Sequence, residues 1–201
     1  QQHIASALAG MINGAAPLFT AAIAALWFRQ ALGGRLLAGL ALGFVGVLAI
    51  GLPNVAGSAS LTGVLLVLVA TAFYGAAFNL SGPLQQRNGA LPVIWRAQLA
   101  AVVALAPFGA PGVADATPTV PGVLAILALG TLGSGIAFVM FVVLVGSVGA
   151  PRASVTTYLI PVVAVALGAG LAHETVTPLS LVGIGLVLLG AWVATSSRRR
   201  A

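Results

Sequence analysis

Apolar residues run through this chain in seven long blocks, at 4–28, 36–53, 61–81, 93–109, 121–145, 152–172 and 178–197. Gly33-Gly34, Pro53-Asn54 with Gly57-Ser58, Gly89 and Pro92, Pro111-Gly112 through Pro118, Gly149 to Pro151, and Pro178 separate them. Each block holds about 20 residues, which as a helix crosses a hydrocarbon core about 30 Å thick. The blocks are too long for strands and lack the alternation that a lipid-facing barrel imposes. Inside a bilayer every backbone N–H and C=O must be paired within the structure, and an α-helix does this segment by segment. The pattern therefore predicts an all-α polytopic membrane protein with seven transmembrane helices.

Composition closes the alternatives. The chain is 60% hydrophobic and 5% charged, against about 25% charged in a soluble domain, so no soluble domain fits beside the spans. There is no Cys, which removes disulfides, thiolate chemistry and Cys-based metal sites. The chain opens Gln1-Gln2-His3 and turns apolar at once. No basic stretch or cleavage site precedes the first block, so it reads as a helix, not a signal peptide. This opening is expected to fall inside a longer protein.

The net charge of +6 comes from eight Arg, with no Lys. A basic chain invites a nucleic-acid reading, but these arginines are scattered between apolar blocks and form no basic face. Their placement has a different meaning. Arg29 and Arg35 lie between the first and second blocks, Arg87 and Arg96 flank the gap between the third and fourth, and Arg152 flanks the gap between the fifth and sixth. Arg198, Arg199 and Arg200 follow the seventh, whereas the alternate gaps carry Asp115 and Glu174 and no Arg. The arginines mark the cytoplasmic side, which places the C-terminus inside; the expected location is a bacterial inner (plasma) membrane.

A pattern recurs 144 positions apart. Pro17, Gln30, Gly39 and Gly46 repeat as Pro161, Glu174, Gly183 and Gly190, and Leu37 and Leu42 repeat as Leu181 and Leu186. An odd number of spans separates the copies, so the two must face opposite sides of the membrane. Internal repeats of inverted topology are the sequence mark of secondary transporters, whose sites lie between the halves.

These residues resemble the drug/metabolite transporter superfamily, in its EamA-like branch. That family has ten helices in two inverted five-helix repeats. Its fourth and ninth helices carry a mid-helix Pro followed by an acid at the helix end, and the next helix opens on a Gly-rich face. Pro161 to Glu174, then Gly183 and Gly190, matches that pattern; Pro17 to Gln30, then Gly39 and Gly46, is the first-half copy, with Gln30 where the family usually has Glu. The resemblance implies the family's helices four to ten: 1–56 as the last two helices of the first repeat and 57–201 as a complete second repeat with a basic cytoplasmic tail. It also implies a small-molecule substrate, moved outward by alternating access: a metabolite, amino acid or drug-like solute. No cofactor and no metal are expected, and the partners are the solute, the lipid bilayer, a proton as candidate coupling ion and a second copy as a homodimer, with no nucleic acid.

Candidate residues follow from the cost of polar groups in hydrocarbon. Asn13, Tyr74, Asn79, Gln98, Thr156, Thr157 and Tyr158 are the substrate-cavity candidates, with Asn13 matching Thr157 across the repeat; hydrogen bonding between helices is their structural alternative. Pro17 and Pro161 are candidate mid-helix hinges. Glu174 with His173 is the candidate for coupling, against a purely structural role at the interface. Gly39, Gly43 and Gly46, Gly183 and Gly190, and Gly130, Gly133 and Ser134 read as packing faces, and Trp95 with Arg96 as an interface anchor. A retinal-type seven-helix receptor would need a Lys that is absent. An intramembrane enzyme would need a catalytic set that is not present, and a truncated, non-transporting membrane fragment is the remaining alternative.

Overall fold

The computed structural model describes residues 6–52, 60–114, 117–171 and 176–196, and every regular element among them is helical. Seven stretches are long and apolar enough to cross a membrane, so the expected polytopic helical class holds. The chain divides into two compact units, one formed by 1–79 and 149–201 and the other by 80–148.

The first unit contains α1 (Ser6–Asn13), α2 (Ala16–Leu26), α3 (Gly34–Gly51) and the first part of α4 (Leu61–Asn88). It also contains α8 (Ala150–Ala153), a 3-10 segment (Ser154–Tyr158), α9 (Leu159–Leu171) and α10 (Pro178–Thr195). Its core joins Leu36, Leu40, Val47 and Ile50 of α3 to Val187 and Ala194 of α10, with Ala21, Val155 and Tyr158 against them. At Gly46 a methyl group would lie 2.7 Å from the Gly183 carbonyl, and at Gly183 one would lie 2.7 Å from the Gly46 carbonyl. Gly39 and Gly190 face each other in the same way, the Gly190 position 2.7 Å from the Gly39 carbonyl. The two helices are therefore antiparallel and in backbone contact. Lipid offers no hydrophobic drive between helices, so close backbone approach supplies the van der Waals energy instead.

The span expected at 4–28 is present as one apolar stretch, Ala9–Leu26, with a turn inside it. α1 ends at Asn13, Gly14 and Ala15 form a turn, and α2 starts at Ala16. Pro17 sits in the first turn of α2, where its missing N–H leaves no bond within α2 unmade. The Ala15 N–H bonds the Ile12 carbonyl at 2.9 Å, three residues back. Because proline has no N–H, the Asn13 carbonyl receives no bond from position 17. Pro161 is likewise the third residue of α9, directly after the 3-10 segment. In both copies the irregular backbone lies before the proline.

α4 runs seven residues beyond its expected end at 81, through Pro83 to Asn88. Its polar end continues the helix, with Asn88 Nδ2 donating to the Leu84 carbonyl at 3.1 Å. Gly89, at φ +80°, stops it, a backbone conformation that glycine adopts without steric penalty.

In the second unit α5 (Ala90–Ala114) passes the expected break at Pro111. One helical stretch follows, formed by α6 (Val120–Ala128), a π-helical segment (Leu129–Ile136) and α7 (Ala137–Val148). Thr119 caps α6, its Oγ1 accepting from the Gly122 N–H at 3.3 Å.

Candidate functional site

Two helices of the first unit enclose a polar seam. On α4, Thr71, Gly75 and Asn79 recur every fourth residue and so share one face. A methyl group at Gly75 would lie 2.9 Å from the Thr20 backbone nitrogen and 3.0 Å from the Phe19 carbonyl carbon, so this face lies directly on the α2 backbone. Thr20 and Thr71 are fully buried, and Asn79 is 4% exposed.

Each buried donor in the seam is committed. Thr20 Oγ1 donates to the Ala16 carbonyl at 2.7 Å, and Thr71 Oγ1 to the Val67 carbonyl at 2.7 Å. Asn79 Nδ2 donates both to the Thr20 carbonyl at 2.9 Å and to the Gly75 carbonyl at 2.8 Å. Two carbonyls on one side of the amide fix its orientation, because a flip would set oxygen against oxygen. Asn79 Oδ1 then points away from both and has no hydrogen-bond partner. A buried acceptor left unpaired costs about 1–3 kcal/mol. Asn13 borders the seam, its Oδ1 3.5 Å from Thr71 Oγ1.

The other expected residues divide between structure and surface. Tyr158 is fully buried, donates from its hydroxyl to the Leu40 carbonyl at 2.8 Å, and lays its ring on Gly43, where a methyl group would fall 2.6 Å from Cδ2 and Cε2. Its polar group is used in holding the 3-10 segment to α3. Thr156 and Thr157 donate to the carbonyls three residues back, Ala153 and Ser154, at 2.8 Å each, as the tight 3-10 turn permits. The Asn13 side chain meets Thr71 while that of Thr157 meets Ser154, so these matched positions enter different local networks. Tyr74 is 43% exposed, its ring 6.0 Å from that of Phe78. His173 and Glu174 lie outside the described residues.

Gln98 belongs to the second unit. Its Nε2 donates to the Ser134 carbonyl at 3.0 Å, inside the π-helical segment, where the wider turn frees carbonyls from their usual partners. Trp95, Gln98, Thr131, Ser134, Ile136 and Met140 help to line an adjoining cavity of about 660 Å³, within the size range of small-molecule sites.

Sequence reading missed Thr20 and Thr71. The signal was present: Thr71, Gly75 and Asn79 at four-residue intervals, and Thr20 three residues after Pro17.

Seven apolar helical spans with buried polar groups between them define a polytopic membrane protein. Its sequence matches the model of the EamA-like transporter family over residues 61–196, and the chain belongs to that family of membrane transporters. An uncharacterized transporter of Archaeoglobus fulgidus is 25% identical to it over 196 residues, which span 98% of this chain and 70% of the relative. No solved structure matches it.

Proposed function

We propose that this chain works in a secondary transporter that exports a small metabolite, amino acid or drug-like solute by alternating access across a bacterial inner membrane, with its C-terminus in the cytoplasm. One observation carries the reading: the reciprocal glycine contacts of α3 and α10. Adding 144 carries Gly39 to Gly183 and Gly46 to Gly190, so the pair Gly46–Gly183 becomes Gly190–Gly39. A pseudo-two-fold axis exchanges such pairs, and inverted repeats built on that axis support exchange between inward- and outward-open states. The broken backbone before Pro17 and Pro161 supports the same reading, since discontinuous helices form the sites of many such proteins. The reading assigns no catalytic step. A proton is the proposed coupling ion, with Glu174 and His173 as its carriers, and a homodimer is the proposed assembly.

Full-length protein in proteoliposomes tests this by solute flux with and without a pH gradient. Flux that responds to the gradient and falls in Glu174→Gln supports the scheme; gradient-independent flux removes the proton from it, and no flux of any metabolite class refutes export. Because the chain has no Cys, single cysteines at Gln30 and at Ser196, labelled from each side, test the sidedness directly. Both should label from the cytoplasm.

A further inference from the structure

We infer that Asn79 Oδ1 is the recognition atom for a neutral N–H or O–H group of the transported solute, an inference that rests on the transporter reading and specifies the chemistry of its site. Three observations lead there. Asn79 is 4% exposed and its Oδ1 is unpartnered. Its amide orientation is fixed by the Thr20 and Gly75 carbonyls, so the oxygen cannot be satisfied by rotation. The hydroxyl protons of Thr20 and Thr71 are already given to Ala16 and Val67, so the buried part of the seam has spare acceptors and no spare donors.

A buried, unpartnered acceptor selects a donor. The solute group it selects is also uncharged: the chain has only two acidic residues, Asp115 and Glu174, and neither lies on α2 or α4. A full ammonium entering the seam would leave its hydration shell without a counter-charge, which is strongly unfavourable in a medium of low dielectric. A carboxamide or a hydroxyl meets no such penalty. Asn13 Oδ1, 3.5 Å from Thr71 Oγ1, lies at the other end of the seam. The two ends lie about 12 Å apart along α4, from eight residues at 1.5 Å each.

The test uses the full chain in lipid nanodiscs and two probes, butyramide, which has N–H donors, and N,N-dimethylbutyramide, which has none. Asparagine labelled with 13C at its side-chain carbonyl reports the acceptor by infrared spectroscopy, and the Asn79→Leu difference spectrum separates Asn79 from Asn13, Asn54 and Asn88. Butyramide should lower the Asn79 carbonyl frequency, and N,N-dimethylbutyramide should not. By calorimetry, the ratio of the two dissociation constants should favour butyramide about tenfold more in the native chain than in Asn79→Leu, the worth of one hydrogen bond. Should Asn79→Leu fail to fold, the triple variant Asn13→Gln, Asn54→Gln, Asn88→Gln, which keeps Asn79 as its single asparagine, reports the Asn79 band directly with the same two probes.

A carbonyl band already lowered before any probe and unmoved by butyramide would assign the atom to a resident water and overturn the proposal. So would equal responses to both probes. A donor-specific shift in a chain that moves neither probe across proteoliposomes would leave the acceptor site standing and remove the transporter reading.

Discussion

Gly46→Ala tests the central contact of the first unit. The added methyl group would lie 2.7 Å from the Gly183 carbonyl oxygen, 2.7 Å from the Val187 backbone nitrogen and 2.9 Å from Val187 Cγ2. Two of these three neighbours are backbone atoms of α10, which cannot rotate aside, so the helices must move apart by about 0.5–1 Å to reach ordinary contact distance. A gap of that size removes about a quarter to a half of the dispersion well of each atom pair along the seam. Overpacking of this kind costs about 1–3 kcal/mol, and the better helix propensity of Ala returns up to about 1 kcal/mol. The expected net loss is about 1–2 kcal/mol. Reversible unfolding in mixed micelles with rising SDS, followed by helical circular dichroism, measures it. Gly185→Ala is the control, because a methyl group there meets nothing within 4 Å; it should be neutral or slightly stabilising. Gly190→Ala, which faces Gly39 and Gly43 in the reciprocal contact, should lose as much as Gly46→Ala. Equal stability of Gly46→Ala and Gly185→Ala would refute the backbone packing of α3 on α10.

Three further outcomes are expected from the same unfolding assay. Tyr158→Phe keeps the ring on Gly43 and removes the 2.8 Å bond to the Leu40 carbonyl, for a loss of about 0.5–1.5 kcal/mol; a loss above 3 kcal/mol would mean that the ring had also moved. Pro17→Ala should change stability by less than about 1 kcal/mol, since a first-turn proline forgoes no helical bond; a gain near the 3 kcal/mol of an interior proline would show that Pro17 interrupts a helix that otherwise runs through it. Arg29, at φ +50°, occupies the left-handed region that costs a residue with a side chain about 1–2 kcal/mol. Arg29→Gly should stabilise by about 1 kcal/mol or less, because the freer unfolded chain takes back part of the gain; a loss would mean that the Arg29 side chain holds the loop.

The fold class was legible because crossing hydrocarbon is a demand on composition and length, which the apolar blocks state openly. Local punctuation was legible where one residue has one physical consequence, as at Gly89 and Gly149, both at positive φ. Gly39, Gly46, Gly183 and Gly190 could be read as packing positions from their small size and spacing. That they pack against one another, reciprocally, is a property of two helices far apart in sequence, and only their approach in space reveals it.

The candidate site was harder to read because a polar residue in a span states a need for a partner without naming the partner. Tyr158 and Asn79 look alike in the sequence as isolated polar residues in apolar runs. The fold answers Tyr158 with the Leu40 carbonyl, and answers only one side of Asn79, leaving Oδ1 open. The break at Gly14 and Ala15 was hidden for a related reason. A proline marks a lost hydrogen bond, but whether the helix bends through it or restarts before it depends on what packs there, and a methyl group at Gly14 would lie 2.5 Å from Val47 Cγ1 of α3. The sequence by itself determined the number of spans and the stock of polar groups, since these follow from solvent and chain chemistry alone. Tertiary structure decided which of those groups are spent and which are free, because hydrogen bonds and backbone contacts are settled only between segments that have already met.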